Sequence, residues 1–339
     1  MLLHSPSKRP PLKEFGIQIP SSPDKGQRVL NALQGHPVLG PRKSEWHIER
    51  DDSSINRDDV VRVHSEEYVS RLYSDEIEQI LTEVFELVDA EGKPHRYDPA
   101  AAKRPLREMF DGTLHGVGGT YQCCKEALKH GFCFYLGGGA HHAHHDFGHG
   151  FCIVNDSAIA LRKMQFEKRI KTAWVIDVDV HKGDGTAALM RGDRSIITLS
   201  VHMARGWPLD KKMYDESGAL HPSFLPSDFD VPIEEGEEAL YVPKLRAALN
   251  ELAYTPAPDL ALVLYGADPY EKDELPSTQK IKLSLEQMNL RDTLIYNFLS
   301  DLKVPKAYLM AGGYGIHAWE PYVPFLTETL LEELRKRDA

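Results

Sequence analysis

Residues 174–186, WVIDVDVHKGDGT, constrain the fold more than any other stretch of the chain. Trp174, Val175 and Ile176 open an apolar run, and Val178 and Val180 continue it between acidic residues. Alternation along a strand sends Asp177, Asp179 and His181 to one side and the valines to the other. Polar side chains crowded at the end of a buried strand are costly unless something compensates them. A divalent metal ion does so economically, because carboxylate oxygen and imidazole nitrogen are ordinary zinc ligands. An isolated D-x-H also occurs by chance at hydrogen-bonded strand ends. The rest of the chain must therefore decide between the two readings.

The same strand-to-glycine pattern recurs. FCFYL at 132–136 runs into Gly137, Gly138 and Gly139, and five histidines follow between positions 141 and 149. Further strands are predicted at 195–202, at 229–233, at DLALVLYGADPY ending near Asp268, and at AYLMAGGYG ending near Tyr314. Helical periodicity covers much of 60–88, a helix ending near His130, and segments 155–168, 236–253, 283–302 and 320–336. Strands alternating with helices predict a single α/β domain, a doubly wound and mostly parallel sheet with helices on both faces. Residues 1–58 read as a loop-rich segment packed on it, with one helix at 22–33.

Size and charge narrow the function. The 339 residues carry a net charge of −11 without a basic stripe, which argues against nucleic-acid binding. No apolar run approaches 18 residues and the first fifteen lack an apolar signal core, so a cytoplasmic chain without a membrane span is expected. The cysteines Cys123, Cys124, Cys133 and Cys152 form no CxxC pair and are expected to be reduced, buried thiols.

Four polar clusters thus follow four predicted parallel strands: His141/His142, Asp179/His181, Asp268 and Tyr314. Open α/β sheets bind ligands on that side. Asp179, His181 and Asp268 supply three ligands and leave a position for water, as hydrolytic zinc sites require. The histidine pair offers a general base, with Asp177 and Asp184 able to hold one ring each. Tyr314 offers an oxyanion donor. The alternatives are a structural tyrosine, a solvated histidine-rich loop and, for Asp98 before Pro99, a turn cap.

Together the stretches GGAHHA (138–143), GFC (150–152), DVDVHKGDG (177–185), GAD (266–268) and GGYG (312–315) resemble the zinc-dependent histone deacetylase family of the arginase–deacetylase superfamily. The resemblance implies zinc at Asp179, His181 and Asp268. It implies His142 as general base backed by Asp184, His141 as electrostatic partner backed by Asp177, and Tyr314 as oxyanion donor. It implies an acyl-lysine tunnel at Gly150 with Phe151 and Trp207 as walls, and Asp98 as the rim carboxylate. It also implies a structural potassium ion held by main-chain carbonyls of Asp177, Asp179 and His181 with Ser200 and Val201. Polyamine enzymes of the family can carry a glutamate seven residues after the last zinc ligand. That position here is Leu275, with Glu274 one residue short, so an acylated lysine peptide or protein is favoured over a small acylated amine. Ala140, where many relatives are bulkier, suggests room for acyl groups longer than acetyl. Iron(II) could replace zinc in such a site. The rival readings are an acetylpolyamine amidohydrolase, a binuclear manganese ureohydrolase, which needs more carboxylates than this run offers, and an inactive acyl-lysine binding protein.

Overall fold

The computed structural model describes residues 1–4, 10–51 and 53–338. Among these, eight strands form one sheet: β1 (Leu2–Leu3), β2 (His47–Ile48), β3 (Phe132–Tyr135), β4 (Ala173–Asp177), β5 (Ile196–Met203), β6 (Phe229–Ile233), β7 (Leu260–Tyr265) and β8 (Lys306–Met310). Their spatial order is β2-β1-β3-β8-β7-β4-β5-β6, and every neighbouring pair is parallel.

Parallel sheets need both faces covered, and the strand sequences are written for that. Along β7, Leu260, Leu262 and Leu264 enter one core, while Ala261, Val263 and Tyr265 enter the other. Cys133 and Tyr135 of β3 join the first core, and Phe132 and Phe134 the second. The described residues also include eleven α-helices: α1 (Lys25–Gly35), α2 (Lys43–Trp46), α3 (Arg57–Val61), α4 (Glu66–Leu72), α5 (Ile77–Val84), α6 (Glu108–His130), α7 (Asp156–Phe166), α8 (Asp184–Met190), α9 (Tyr241–Leu252), α10 (Leu285–Asp301) and α11 (Tyr322–Asp338). Helices α3 to α7 contribute to the first core, and α1, α9, α10 and α11 to the second.

Two expectations change. The helical stretch 60–88 lies in three short helices: the Asn56–Asp59 capping box starts α3 ahead of it, and Ser65 accepts from the Tyr68 N–H to start α4 anew. The N-terminal segment is more than loop, since β1 inserts between β2 and β3 and extends the sheet. The four cysteines are free and buried. No helix among the described residues is long and apolar enough to cross a membrane.

Candidate metal centre and active site

The strands β3, β8, β7 and β4 lie side by side, so the loops after their C-terminal ends converge. Those loops carry His141 and His142, Tyr314, Asp268, and Asp179 with His181.

Backbone N–H groups hold the acidic side chains in place. Asp179 accepts from the N–H groups of His181 and Gly312, each at 3.0 Å, and Asp268 accepts from Val180 N–H at 3.0 Å. The Nδ1 of His181 lies 3.3 Å from Asp179 Oδ1 and 3.4 Å from Asp268 Oδ2, while its Nε2 meets Ser277 Oγ at 3.2 Å. All three residues are buried, and Asp268 Oδ2 has no hydrogen-bond partner among the described residues. Burial and the Asp179 charge push the Asp268 carboxyl up to about 7. Burial opposes protonation of His181, but Asp179 and Asp268 outweigh it and push that imidazole up to about 9. Two crowded carboxylates that draw a proton onto their neighbours ask for a cation. Space is kept for one. A Cβ on Gly312 would stand 2.4 Å from an oxygen of both Asp179 and Asp268. Donor chemistry, the orphaned oxygen and this cradle all fit a divalent metal ion such as zinc.

Beside this set stand two histidine–aspartate pairs. His141 Nδ1 lies 2.6 Å from Asp177 Oδ2, and His142 Nδ1 lies 2.8 Å from Asp184 Oδ1. The rings are 3.9 Å apart. Burial disfavours charge on His141, yet Asp177 and Asp179 prevail and push it up to about 10. Burial and the adjacent His141 hold His142 well below the usual imidazole range, against the pull of Asp184. The two imidazoles are thus pushed in opposite directions, His141 toward its charged form and His142 toward its neutral one. Tyr314 is kept protonated by burial and by the nearby Asp268 and Asp179 charges, which push its phenol well above the usual range.

A cavity of about 340 Å³ opens onto these groups, lined by His142, Gly150, Phe151, His181, Trp207, Leu275 and Tyr314 among others. Trp207 packs edge-on to His142 at 4.5 Å, and Phe151 stands 6.2 Å from Tyr314. A side chain at Gly150, where φ is +58°, would collide with the Trp207 ring at 2.2 Å, so glycine keeps this passage open.

Asp98 is not among the lining residues. Its carboxylate accepts from the Ala100 and Ala101 N–H groups, the turn-cap alternative, so a rim contact would require it to leave that cap. The mouth carries instead Glu86 and Arg96, ion-paired at 2.9 Å, and Asp210. Leu275 faces the cavity, whereas Glu274 points to the tyrosine loop and accepts from Ile316 N–H at 3.0 Å. For the expected potassium shell, the register sets Asp177 opposite Ser200, with Val201 next along β5.

Several supporting residues escape sequence reasoning. Asp156 accepts from the Gly139 and Ala140 N–H groups at 3.0 and 2.7 Å and so fixes the turn before the histidine pair. Asp273 accepts from Tyr314 N–H at 2.6 Å. The buried Lys25 ammonium, from the N-terminal segment, donates to Ala311 O at 3.1 Å and to the Gly312 and Gly313 carbonyls. Arg291 of α10 donates to the carbonyls of Val178 and Gly266, next to Asp179 and two residues before Asp268. Only Asp156 had a signal, an acidic residue in the first turn of a predicted helix.

Comparison with known proteins identifies the family. Residues 19–330 match the family described as histone deacetylase domain. Histone deacetylase 2 of Arabidopsis thaliana is 26% identical over 257 residues, 76% of this chain and 60% of that protein. An uncharacterised protein of a Picosynechococcus strain is 32% identical over 203 residues, 60% of this chain and 62% of that protein. The chain thus spans about three fifths of the length of these relatives. Among solved structures, a histone deacetylase homologue complexed with SAHA superposes with a TM-score of 0.69 at 22% identity, covering 98% of this chain and 83% of that one. An acetylpolyamine aminohydrolase from Burkholderia pseudomallei gives 0.67 at 19%, covering 96% and 97%. At these identities the two structures speak for the fold.

Proposed function

The chain belongs to the histone deacetylase family, and from that premise we propose that it is a zinc-dependent amidohydrolase that removes the acyl group from an acylated lysine side chain. The observation that carries the reading is convergence: His142, the cradle residue His181 and Tyr314 border one cavity walled by Phe151 and Trp207.

When bound at Asp179, His181 and Asp268, zinc would polarise the acyl carbonyl and acidify its water. The chain's own residues do the rest. His142, its Nδ1 engaged by Asp184, takes the water proton at its free Nε2 and later returns it to the departing amine. The Tyr314 hydroxyl donates to the developing oxyanion. His141, held charged by Asp177, adds positive potential where negative charge accumulates. Phe151, Trp207 and Leu275 cover the alkyl chain and keep water from it. Main-chain carbonyls of Asp177, Asp179 and His181, with Ser200 and Val201, form the proposed structural potassium shell.

An N-acetylated polyamine is the second reading, favoured by the Glu86 and Asp210 carboxylates at the mouth. Glu86 is engaged by Arg96, however, and Leu275 places an apolar side chain where a gatekeeping acid would sit. The test is kcat/KM for an acetyl-lysine peptide beside an N-acetylated diamine, in the wild type and in Leu275→Glu. The reading predicts preference for the peptide, eroded in the variant. Preference of the wild type for the diamine overturns the lysine assignment.

A further inference from the structure

The histidine-rich loop holds more imidazoles than the proposed reaction uses. Asp184 is fully buried and receives three of them. His142 Nδ1 lies 2.8 Å from its Oδ1, while His144 Nε2 and His149 Nε2 lie 3.2 and 3.1 Å from its Oδ2. His144 is itself buried, stacked on Phe147 with ring centres 4.6 Å apart. This part of the loop is therefore built inward, unlike the exposed His145 and Asp146 beside it.

The His149 contact has a particular character. Its Nε2 is within 3.1 Å of a carboxylate oxygen, yet it is buried and makes no hydrogen bond among the described residues. A buried imidazole nitrogen left without an assigned hydrogen bond beside a carboxylate is a group that a cation would satisfy. Two ligand atoms each 2.0–2.1 Å from a tetrahedral zinc ion stand about 3.3 Å apart. The proposed catalytic cradle is similar in spacing, with separations of 3.3 and 3.4 Å, the second to the unpartnered Asp268 Oδ2. Donor atoms of His142, His149 and Asp184 all lie within 4.8 Å of one another, as do those of Asp179, His181 and Asp268. His149 stands beside Trp207, ring centres 5.3 Å apart, with its side chain 15% exposed, so an ion has a way in from the cavity flank.

We propose that Asp184, His149 and His142 form a second divalent-cation site, of zinc type, whose occupation arrests the hydrolysis. The arrest rests on the function proposed above. A cation on Asp184 competes for the carboxylate that orients His142 and engages that imidazole as a ligand, so the base can no longer take up a proton. His144 flanks the site and stays on Asp184 Oδ2. Low zinc would then fill the Asp179–His181–Asp268 cradle and support turnover, and higher zinc would fill the second site and suppress it.

The experiment is equilibrium dialysis of the purified chain against graded zinc, with bound metal counted by elemental analysis, in parallel with turnover of an acetyl-lysine peptide. The wild type should bind two equivalents, the second more weakly, and lose activity as the second binds. His149→Gln should bind one equivalent, keep its activity at low zinc, and require at least tenfold more zinc for suppression. A wild type that binds a single equivalent overturns the proposal, and so does a His149→Gln chain that still binds two. The metal count does not depend on catalysis. A chain that hydrolyses no acyl-lysine would sink the functional reading while the count still decides the site.

Discussion

Replacing Arg291 with methionine should destabilise the protein by about 3–5 kcal/mol, the range for removing one partner of a buried ion pair. The side chain is fully buried on α10. Its guanidinium donates to Asp292 Oδ1 at 2.7 Å and to the carbonyls of Val178 and Gly266 at 2.9 and 3.0 Å, and it lies over the Tyr265 ring at 4.6 Å. Methionine keeps much of the volume and loses every donor, leaving two buried carbonyls and a carboxylate uncompensated. That is a large share of a typical total stability of about 5–15 kcal/mol. The cost should also depend on pH. Burial, against the pull of Arg291, already pushes the Asp292 carboxyl up to about 6, whereas an unfolded aspartate titrates near about 3.9. Without the guanidinium the folded pKa rises further. The folded variant then keeps a proton that the unfolded chain has lost. A raised carboxyl pKa gives stability that is present in acid and lost as pH rises through the folded value. Urea unfolding followed by tryptophan fluorescence should therefore show a smaller loss at pH 5.5 than at pH 8. A loss below about 1 kcal/mol at both pH values would refute the role assigned to Arg291.

Other consequences follow at the site itself. His142→Ala and Tyr314→Phe should each lower turnover of an acyl-lysine peptide by on the order of 10²-fold or more, with circular dichroism unchanged; near wild-type rates would remove either residue from the mechanism. Gly312→Ala should weaken zinc binding measured by competition with a chromophoric chelator, because its Cβ would enter the space between Asp179 and Asp268. Ala140→Phe should shift preference toward shorter acyl groups, and an unchanged chain-length profile would show that Ala140 does not shape that pocket.

The parts of this protein that were legible in the sequence are those where residue type and backbone pattern coincide. An apolar run followed by glycine and a polar cluster marks β3, β4, β7 and β8, and the sheet sets these four strands adjacent. The order of the clusters around the sheet was not legible, because strand order depends on which helices cross which face. Strands β1 and β2 are two residues each, too short for a period of two to register. Arg291 and Asp292 read as the polar stripe of an amphipathic helix, and only the approach of the Val178 and Gly266 carbonyls explains their burial. Lys25 and Asp273 act on the Tyr314 loop from distant or unpatterned positions, so no spacing announces them. Asp98 had two readings that a sequence could not separate, and its carboxylate sits on the turn.

The most direct test of the account is one rate measured three times on the same purified protein: release of acetate from an acetyl-lysine peptide as isolated, after metal removal by a chelator, and after one equivalent of zinc is returned. The account predicts turnover, its loss, and its recovery. Turnover that survives complete metal removal, or none at all with zinc supplied, would contradict it.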